Sequence, residues 1–380
     1  MMKLFDRKRK TFAIFASMVL LALLASACGS ANTGSSSSTT TTSGNNGKGC
    51  KKVGVLLPET ATSARWDSKD RPLLIQGIKS ALPGATVDYN NAENSATEQQ
   101  NQANADLTKG DCILVLAPHD AAASAAIVAK AKAQNVPVIS YDRLIQSNDL
   151  AAYVSFDGVA VGAQQGGYIA SHYTDFTKSG KNVVMINGSM TDNNALLFAQ
   201  GAHSKLDPLF TSGTLKKVYE QFTPNWDNAT AQTEMEAALT ANHNNIQIAY
   251  VANDGMANSV IAALKVQKLN GKVLVTGQDA TVAGIHNILA GDQAMTVYKA
   301  IAKEASATAD VVKAMIAGSG LASLTNGVTV KNANGVAIPS VLEAPVAVDK
   351  TNIATTVIAD GFVAKADVCT GIPAGTDGVC

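Results

Sequence analysis

From Lys51 onward, short apolar runs alternate with stretches of helical period. VGVLL (53–57) precedes a helix at Arg71 to Leu82, and ATVDY (85–89) a helix at Thr97 to Lys109. CILVLA (112–117) precedes an Ala-rich helix at Ala121 to Gln134, and VPVIS (136–140) and AAYVSF (151–156) follow. Strands that are apolar along their whole length are covered on both faces, so this pattern predicts βαβ units in a parallel sheet. The rhythm then restarts. Helices at 158–173, 194–206, 229–242 and 256–268 lead in turn to NVVMI (182–186), TLKKVYEQ (214–221), IAYVA (248–252) and KVLVTG (272–277). AMTVY (294–298) and a helix at Ile301 to Ile316 follow. Two sheets of about five strands predict an α/β protein of two doubly wound parallel-sheet lobes. After Gly318 the periodicity weakens, and the chain reads as extended segments returning across both lobes rather than as a third domain.

Five of the apolar runs end in groups that can hydrogen-bond a ligand. They are VPVIS before Tyr141-Asp142-Arg143, NVVMI before Asn187 and Asp192-Asn193-Asn194, IAYVA before Asn253-Asp254, VLVTG before Gln278-Asp279, and AMTV before Tyr298-Lys299. Ligands of open α/β sheets bind beyond the carboxyl ends of the strands, so these residues predict one site drawn from distant parts of the chain. Each has a plainer reading. Asp192 and Asn253 stand where helices begin and serve equally as N-caps, and Asp142-Arg143 could be a surface ion pair. The only two tryptophans, Trp66 and Trp226, each lie in a polar loop after a strand, one in each lobe. Aromatic faces pack against the C–H faces of sugars, whereas a core-capping role is the alternative for each ring.

Composition narrows the field. Thirty basic and thirty acidic residues balance, so no global field favours nucleic acid. Lys3, Arg7, Lys8, Arg9 and Lys10 precede an apolar run from Thr11 to Leu24, which has the build of an export signal and is short for a membrane span. The run ends in Ala25-Ser26-Ala27-Cys28, and Ser, Thr, Gly and Asn dominate 29–49. This looks like a bacterial lipobox with Cys28 as the lipidated residue, then a flexible tether; simple cleavage near the same point is the alternative. The expected segments are a signal peptide at 1–27 and a tether at 28–50. Cys50, Cys112, Cys369 and Cys380 form an even set in an exported chain. Cys50 precedes the first strand and Cys112 opens the third. In a doubly wound sheet of order 2-1-3-4-5 those strands are neighbours, which predicts Cys50–Cys112 and leaves Cys369–Cys380; free thiols are the alternative.

The chain from Lys51 to about Phe362 resembles periplasmic sugar-binding proteins of ABC importers, in particular the xylose-binding branch. The resemblance rests on Arg65-Trp66-(x3)-Asp70-Arg71, Tyr141-Asp142-Arg143-Leu144, Val154-Ser155-Phe156-Asp157 and Gly188-Ser189-(x2)-Asp192-Asn193-Asn194-Ala195. Ala241-Asn242-(x2)-Asn245, Asn253-Asp254, Gly277-Gln278-Asp279-Ala280 and Met295-Thr296-Val297-Tyr298-Lys299 extend it. It implies a two-lobed fold with three crossovers, near 157–158, 298–299 and 329–339. One lobe would hold 51–157 and 299–330, the other 158–298 and 331–365, with 366–380 as a tail. It also implies a monosaccharide ligand, a xylose-like pentose ahead of glucose. Arg65, Trp66, Asp142, Arg143, Asp192, Asn194, Trp226, Asn253, Asp279 and Lys299 would contact that sugar.

No cofactor or metal is expected, because His119, His172, His203, His243 and His286 are too scattered for a zinc site. Nor does the sequence contain a G-x-S-x-G elbow or a P-loop, and its candidate carboxylates stand beside Arg, Asn or Gln. The expectation is a non-enzymatic receptor, monomeric, lipid-anchored on the outer face of the cytoplasmic membrane, and partnered by an importer's permease. A sugar sensor addressing a membrane receptor is the rival reading, and a glycoside-processing enzyme the remoter one.

Overall fold

The computed structural model describes residues 47–380. The expected signal peptide, Cys28 and nearly all of the tether lie outside the described residues. The first half of the fold runs β1 (Lys52–Leu57), α1 (Arg71–Ala81), β2 (Thr86–Asn91), α2 (Ala96–Lys109), β3 (Ile113–Leu116), α3 (Ala125–Ala133), β4 (Val138–Tyr141) and β5 (Ala152–Phe156). Next come α4 (Gly158–Phe176), β6 (Asn182–Asn187), α5 (Asn193–Thr211), β7 (Lys216–Phe222), α6 (Asn228–Ala241), β8 (Ile248–Val251), α7 (Asp254–Val266) and β9 (Leu274–Val275). The chain finishes through α8 (Val282–Ala290), β10 (Thr296–Tyr298), α9 (Ile301–Ala317), β11 (Thr329–Lys331), β12 (Ala337–Glu343) and β13 (Val346–Val348).

The first sheet has seven strands in the order β11-β12-β5-β4-β3-β1-β2, with only β11 antiparallel to its neighbour. Successive residues of its strands point to opposite faces. Val53, Val55, Ile113, Val115, Ile139 and Val154 pack with α1 and α9, while Leu56, Leu114, Leu116 and Tyr153 pack with α2 and α3. A sheet covered on both faces requires this continuous apolar run. The second sheet is β7-β6-β8-β9, all parallel, and shares one core with α4 to α7.

Three expectations need correction. The second sheet has four strands rather than about five. AMTVY does not enter its ladder: β10 pairs antiparallel with β13 and meets the second sheet only through single bonds such as Val297 N–H to the Gly277 carbonyl at 3.1 Å. The third crossover also falls later than 329–339. β12 lies parallel to β5 over Ser340–Glu343, so the first sheet keeps the chain as far as Glu343, and a boundary at 330/331 would cut a strand pair. The tail at 366–380 packs against α8. Val368 and Val379 are buried with Ile285 and Leu289 of α8, and the His286 Nδ1 lies 3.1 Å from the Val368 carbonyl.

Cys50 is bonded to Cys112 and Cys369 to Cys380. Close to the first disulfide, Lys52 Nζ lies 3.1 Å from Asp88 and 3.6 Å from Asp111. Burial, then Asp106 and Asp88, push the Asp111 carboxyl up to about 6. An acid whose folded pKa is raised binds its proton more tightly when folded, so its ionisation removes stability as pH rises from about 4 to about 6. Asp111→Asn is expected to flatten that part of the profile and to raise the thermal midpoint at pH 7.5. Midpoints measured from pH 4 to 8 check this; a lower midpoint for the variant at pH 7.5 would contradict it.

Candidate functional site

The carboxyl ends of the two sheets face each other, and all ten residues singled out in the sequence line one cavity between them. It encloses about 340 Å³ of non-atom space, part of it open to solvent. Arg65 and Trp66 come from the loop after β1, Asp142 and Arg143 from the end of β4. Asp192 and Asn194 come from the start of α5, Trp226 from the turn after β7, and Asn253 from the end of β8. Asp279 follows β9 and Lys299 follows β10.

A single π-helical turn, Trp66–Asp70, brings Asp70 back onto Arg65. The guanidinium donates to both Asp70 oxygens, Nε at 2.9 Å and Nη2 at 2.6 Å, and Nη1 donates to Asp142 Oδ2 at 3.0 Å. Two parallel N–H···O bonds fix a fork in orientation as well as position. The Tyr141 hydroxyl donates to Asp70 at 2.7 Å and holds the far side of the pair. Burial works against the charge on Arg65, but Asp142 and Asp70 drive its pKa well above the ordinary value. Glu304, in the first turn of α9, comes within 3.6 Å of Arg65 Nη2 and is fully buried. Burial and the neighbouring Asp142 push its carboxyl well above the usual range, against the pull of Arg65.

Asp142 is the hub. Besides Arg65 it accepts from Lys299 Nζ at 3.1 Å and, across the cleft, from Asn194 Nδ2 at 3.1 Å. Burial would raise this carboxyl, yet Arg65, Lys299 and Arg143 hold it below the usual carboxylate range. Arg143 Nε pairs with Asp192 at 2.9 Å, and Gln146 Nε2 donates to Asn193 at 3.1 Å, so the two walls are also joined directly. Asp192 caps α5 by accepting from the Asn194 N–H, and Asn253 caps α7 through the Met256 N–H. Capping and lining are therefore compatible roles for the same residues.

The Trp226 indole N–H donates to Asp192 at 3.1 Å, and its ring meets Phe198 edge-on. The ring lies against Gly188, where a Cβ would come within 2.1 Å of it. Trp66 lines the opposite wall beneath the guanidiniums of Arg65 and Arg143, 4.4 and 5.0 Å from its ring centre. Asp142, Trp226 and Asp279 all have left-handed backbone, with φ of 57°, 56° and 101°. Side chains rarely adopt such φ, and the strain of about 1–3 kcal/mol each persists only where the surroundings impose it. Behind Asp279, buried Asp254 accepts from Gln293, Thr296 and the Thr281 N–H and hydroxyl, and burial lifts it to about 7. It ties down the turn that carries Gln278 and Asp279.

Sequence reasoning missed Thr62, Ser63 and Phe198 as lining residues, and Gln278 was noted only beside Asp279. Phe198 stands four residues after Asn194 on α5, and that spacing puts both on one helix face. Of the supporting pair, Asp70 stood in a quoted motif without a role, and Glu304 was missed. Glu304 shares the buried stripe of α9 with Ile301, Ala305, Thr308 and Val312, and a charge on such a stripe was the available signal.

A buried cavity of carboxylates, amides and cations, walled by aromatic rings from two sheets, suits a polyhydroxylated ligand. The model of the periplasmic binding protein domain family matches residues 53–320. Over 320 residues the chain is 38% identical to the D-xylose-binding periplasmic protein of Haemophilus influenzae, covering 83% of this chain and 92% of that one. Over 311 residues it is 37% identical to the D-xylose-binding periplasmic protein of Escherichia coli K12, covering 82% and 90%. It also superposes, with a TM-score of 0.75 and 30% identity, on an ABC transporter solute-binding protein from Clostridium phytofermentans that holds β-D-glucose, over 84% of this chain and 100% of that one. The chain belongs to the periplasmic binding protein domain family and has its type I fold.

Proposed function

We propose that the chain is an extracytoplasmic receptor that closes over one aldose and delivers it to an ABC importer. The observation that carries the reading is the convergence of ten strand-end residues, scattered from Arg65 to Lys299, on one polar cavity between two sheets. In the bound state Trp66 and Trp226 flank the ring. Arg65, Arg143 and Lys299 donate to its oxygens, Asp142, Asp192 and Asp279 accept, and Asn194 and Asn253 do either. Bonds such as Asn194 to Asp142 already span the walls, so a sugar touching both walls adds to the closed form and shifts the opening equilibrium by that difference in affinity. The fixed, low pKa of Asp142 suits an acceptor held in place rather than a proton donor. A xylose-like pentose is favoured because two relatives of high coverage are named for D-xylose; the glucose-holding neighbour makes glucose the runner-up.

Calorimetry with xylose, glucose, galactose, arabinose and ribose tests the reading. Xylose is expected to bind most tightly, and Trp226→Ala or Asp279→Ala to weaken it by tenfold or more. No binding by any aldose, or variants within twofold of the parent (under about 0.5 kcal/mol), would remove the assignment. Membrane attachment is proposed through lipidated Cys28, with the receptor monomeric. Cys28→Ser is then expected to move the protein from the membrane fraction to the soluble one in its own host, and unchanged partitioning would count against the anchor.

A further inference from the structure

We propose that Asp88, Asp106 and Asp111 form a calcium site at the amino-terminal end of the first sheet, where the ion displaces the ammonium of Lys52. One oxygen from each carboxylate lies within 4.8 Å of the other two. Calcium binds oxygen at about 2.3–2.6 Å, so ligands on opposite sides of the ion stand about 4.8 Å apart. Magnesium, at about 2.1 Å, spans about 4.2 Å and demands a near-ideal octahedron. The trio holds no histidine, so the scatter of the histidines does not bear on it.

Three elements supply the carboxylates: β2 carries Asp88, the last turn of α2 Asp106, and the loop into β3 Asp111. They converge over Gly54 of β1, which pairs in register with Asp88. A Cβ at Gly54 would stand 3.0 Å from Asp111 Oδ2 and 3.3 Å from Asp106 Oδ2, besides meeting Leu114. Glycine thus leaves the carboxylates their room. Asp106 accepts from Asn90 Nδ2 at 2.7 Å and, more weakly, from Lys109 Nζ at 3.4 Å. Asp111 is 1% exposed and, among the described residues, neither of its oxygens accepts a hydrogen bond. Lys52 Nζ stops 3.6 Å short of it, held 3.1 Å from Asp88 and 3.1 Å from the Lys109 carbonyl. A buried carboxylate without a donor has lost its hydration without recompense, and direct ligation of a cation restores it. The side chains of Lys52 and Asp88 are 30% and 25% exposed, so the ammonium can turn into water and leave an entry path. Two positive charges then replace one among three negative, and water completes the shell of six to eight oxygens that calcium takes.

The test is melting and calorimetry of the purified chain at pH 7.5, in EDTA or in about 5 mM calcium chloride, the range of extracellular sites. Calcium is expected to raise the thermal midpoint by about 2 °C or more. Sodium chloride at matched ionic strength should not, and magnesium should give less than half the rise. Asp111→Asn should melt above the parent in EDTA, as argued with the fold, yet lose the response to calcium. Asp88→Asn, at the exposed rim, should weaken calcium tenfold or more. Lys52→Met should tighten it threefold or more, because the competing ammonium is gone. No calcium response beyond that of sodium chloride, an equal response to magnesium, or a response that survives Asp111→Asn or Asp88→Asn would overturn the proposal. So would a Lys52→Met chain that binds calcium no more tightly than the parent.

Discussion

Asp142→Ala is expected to destabilise the folded chain by about 3–5 kcal/mol, the usual cost of stripping one partner from a buried ion pair. The side chain is buried, and both Arg65 and Lys299 rely on its Oδ2, at 3.0 and 3.1 Å. Asp279 Oδ1 lies 3.7 Å from Arg65 and 3.8 Å from Lys299, too far to replace those hydrogen bonds. The same deletion removes a hydroxyl acceptor from the cavity and the carboxylate's cross-cleft bond to Asn194, whose bond to the residue 142 carbonyl remains, so sugar affinity should fall by more than a hundredfold, about 2.7 kcal/mol. Asp142→Asn keeps an oxygen for one donor and should fall between parent and alanine in both measures. Urea unfolding of the ligand-free protein and calorimetry with the bound aldose read the two effects. A stability loss under about 1 kcal/mol, with affinity within threefold, would mean that Asp142 is not the hub.

Gly162→Ala is the second large effect, and here two contributions oppose each other. In an isolated helix, alanine is favoured over glycine by about 1 kcal/mol, so propensity alone predicts stabilisation. Gly162 lies where α4 crosses α5, and a Cβ there would stand 1.8 Å from the Phe198 carbonyl oxygen and 2.6 Å from its carbon. Backbone cannot swing aside like the end of a side chain, so the helices must separate. A loss of about 3 kcal/mol or more, the upper end of overpacking, outweighs the propensity gain. The strain also reaches the cavity, because Phe198 lines it and Asn194 lies one turn earlier on α5. Circular-dichroism melts should show a much lower midpoint for the variant, with weaker sugar binding. An unchanged or higher midpoint would mean that the helices tolerate a wider spacing.

Much of this architecture is legible in the chain because its strands are buried on both faces. VGVLL, CILVLA and NVVMI stand out as unbroken apolar runs, and order β2-β1-β3-β4-β5 follows from short right-handed crossovers. The legibility fails where a segment's place is set by a distant partner. β12 carries the mixed sequence AIPSVLE and is held by β5, nearly two hundred residues earlier, so no local period marks it. β10 and β13 are three residues each and pair only with each other, and KVLVTG shortens to Leu274–Val275. α8, nine residues between Gly277 and Gly291, is short enough to hide between strand signals. The site divides in the same way. Asp142, Asp279 and Lys299 are visible because polar groups end apolar runs. Thr62 and Ser63 belong to a loop with no period, and Asp70 and Glu304 act on Arg65 from behind, where only the folded chain brings them together.

The left-handed backbone at Asp142 and Asp279 bears on how such a pocket could be retuned. At φ of 57° and 101° a β-branched or bulky replacement would distort the turn, whereas asparagine and glycine follow the same path. At Asp279, whose Oδ1 carries no hydrogen bond among the described residues, the short route to a new ligand is therefore an exchange of carboxylate for amide, which converts an acceptor of hydroxyl protons into a group that also donates. Inheritance could alter which hydroxyl stereochemistry the pocket prefers in single steps while the loops that carry the choice keep their course.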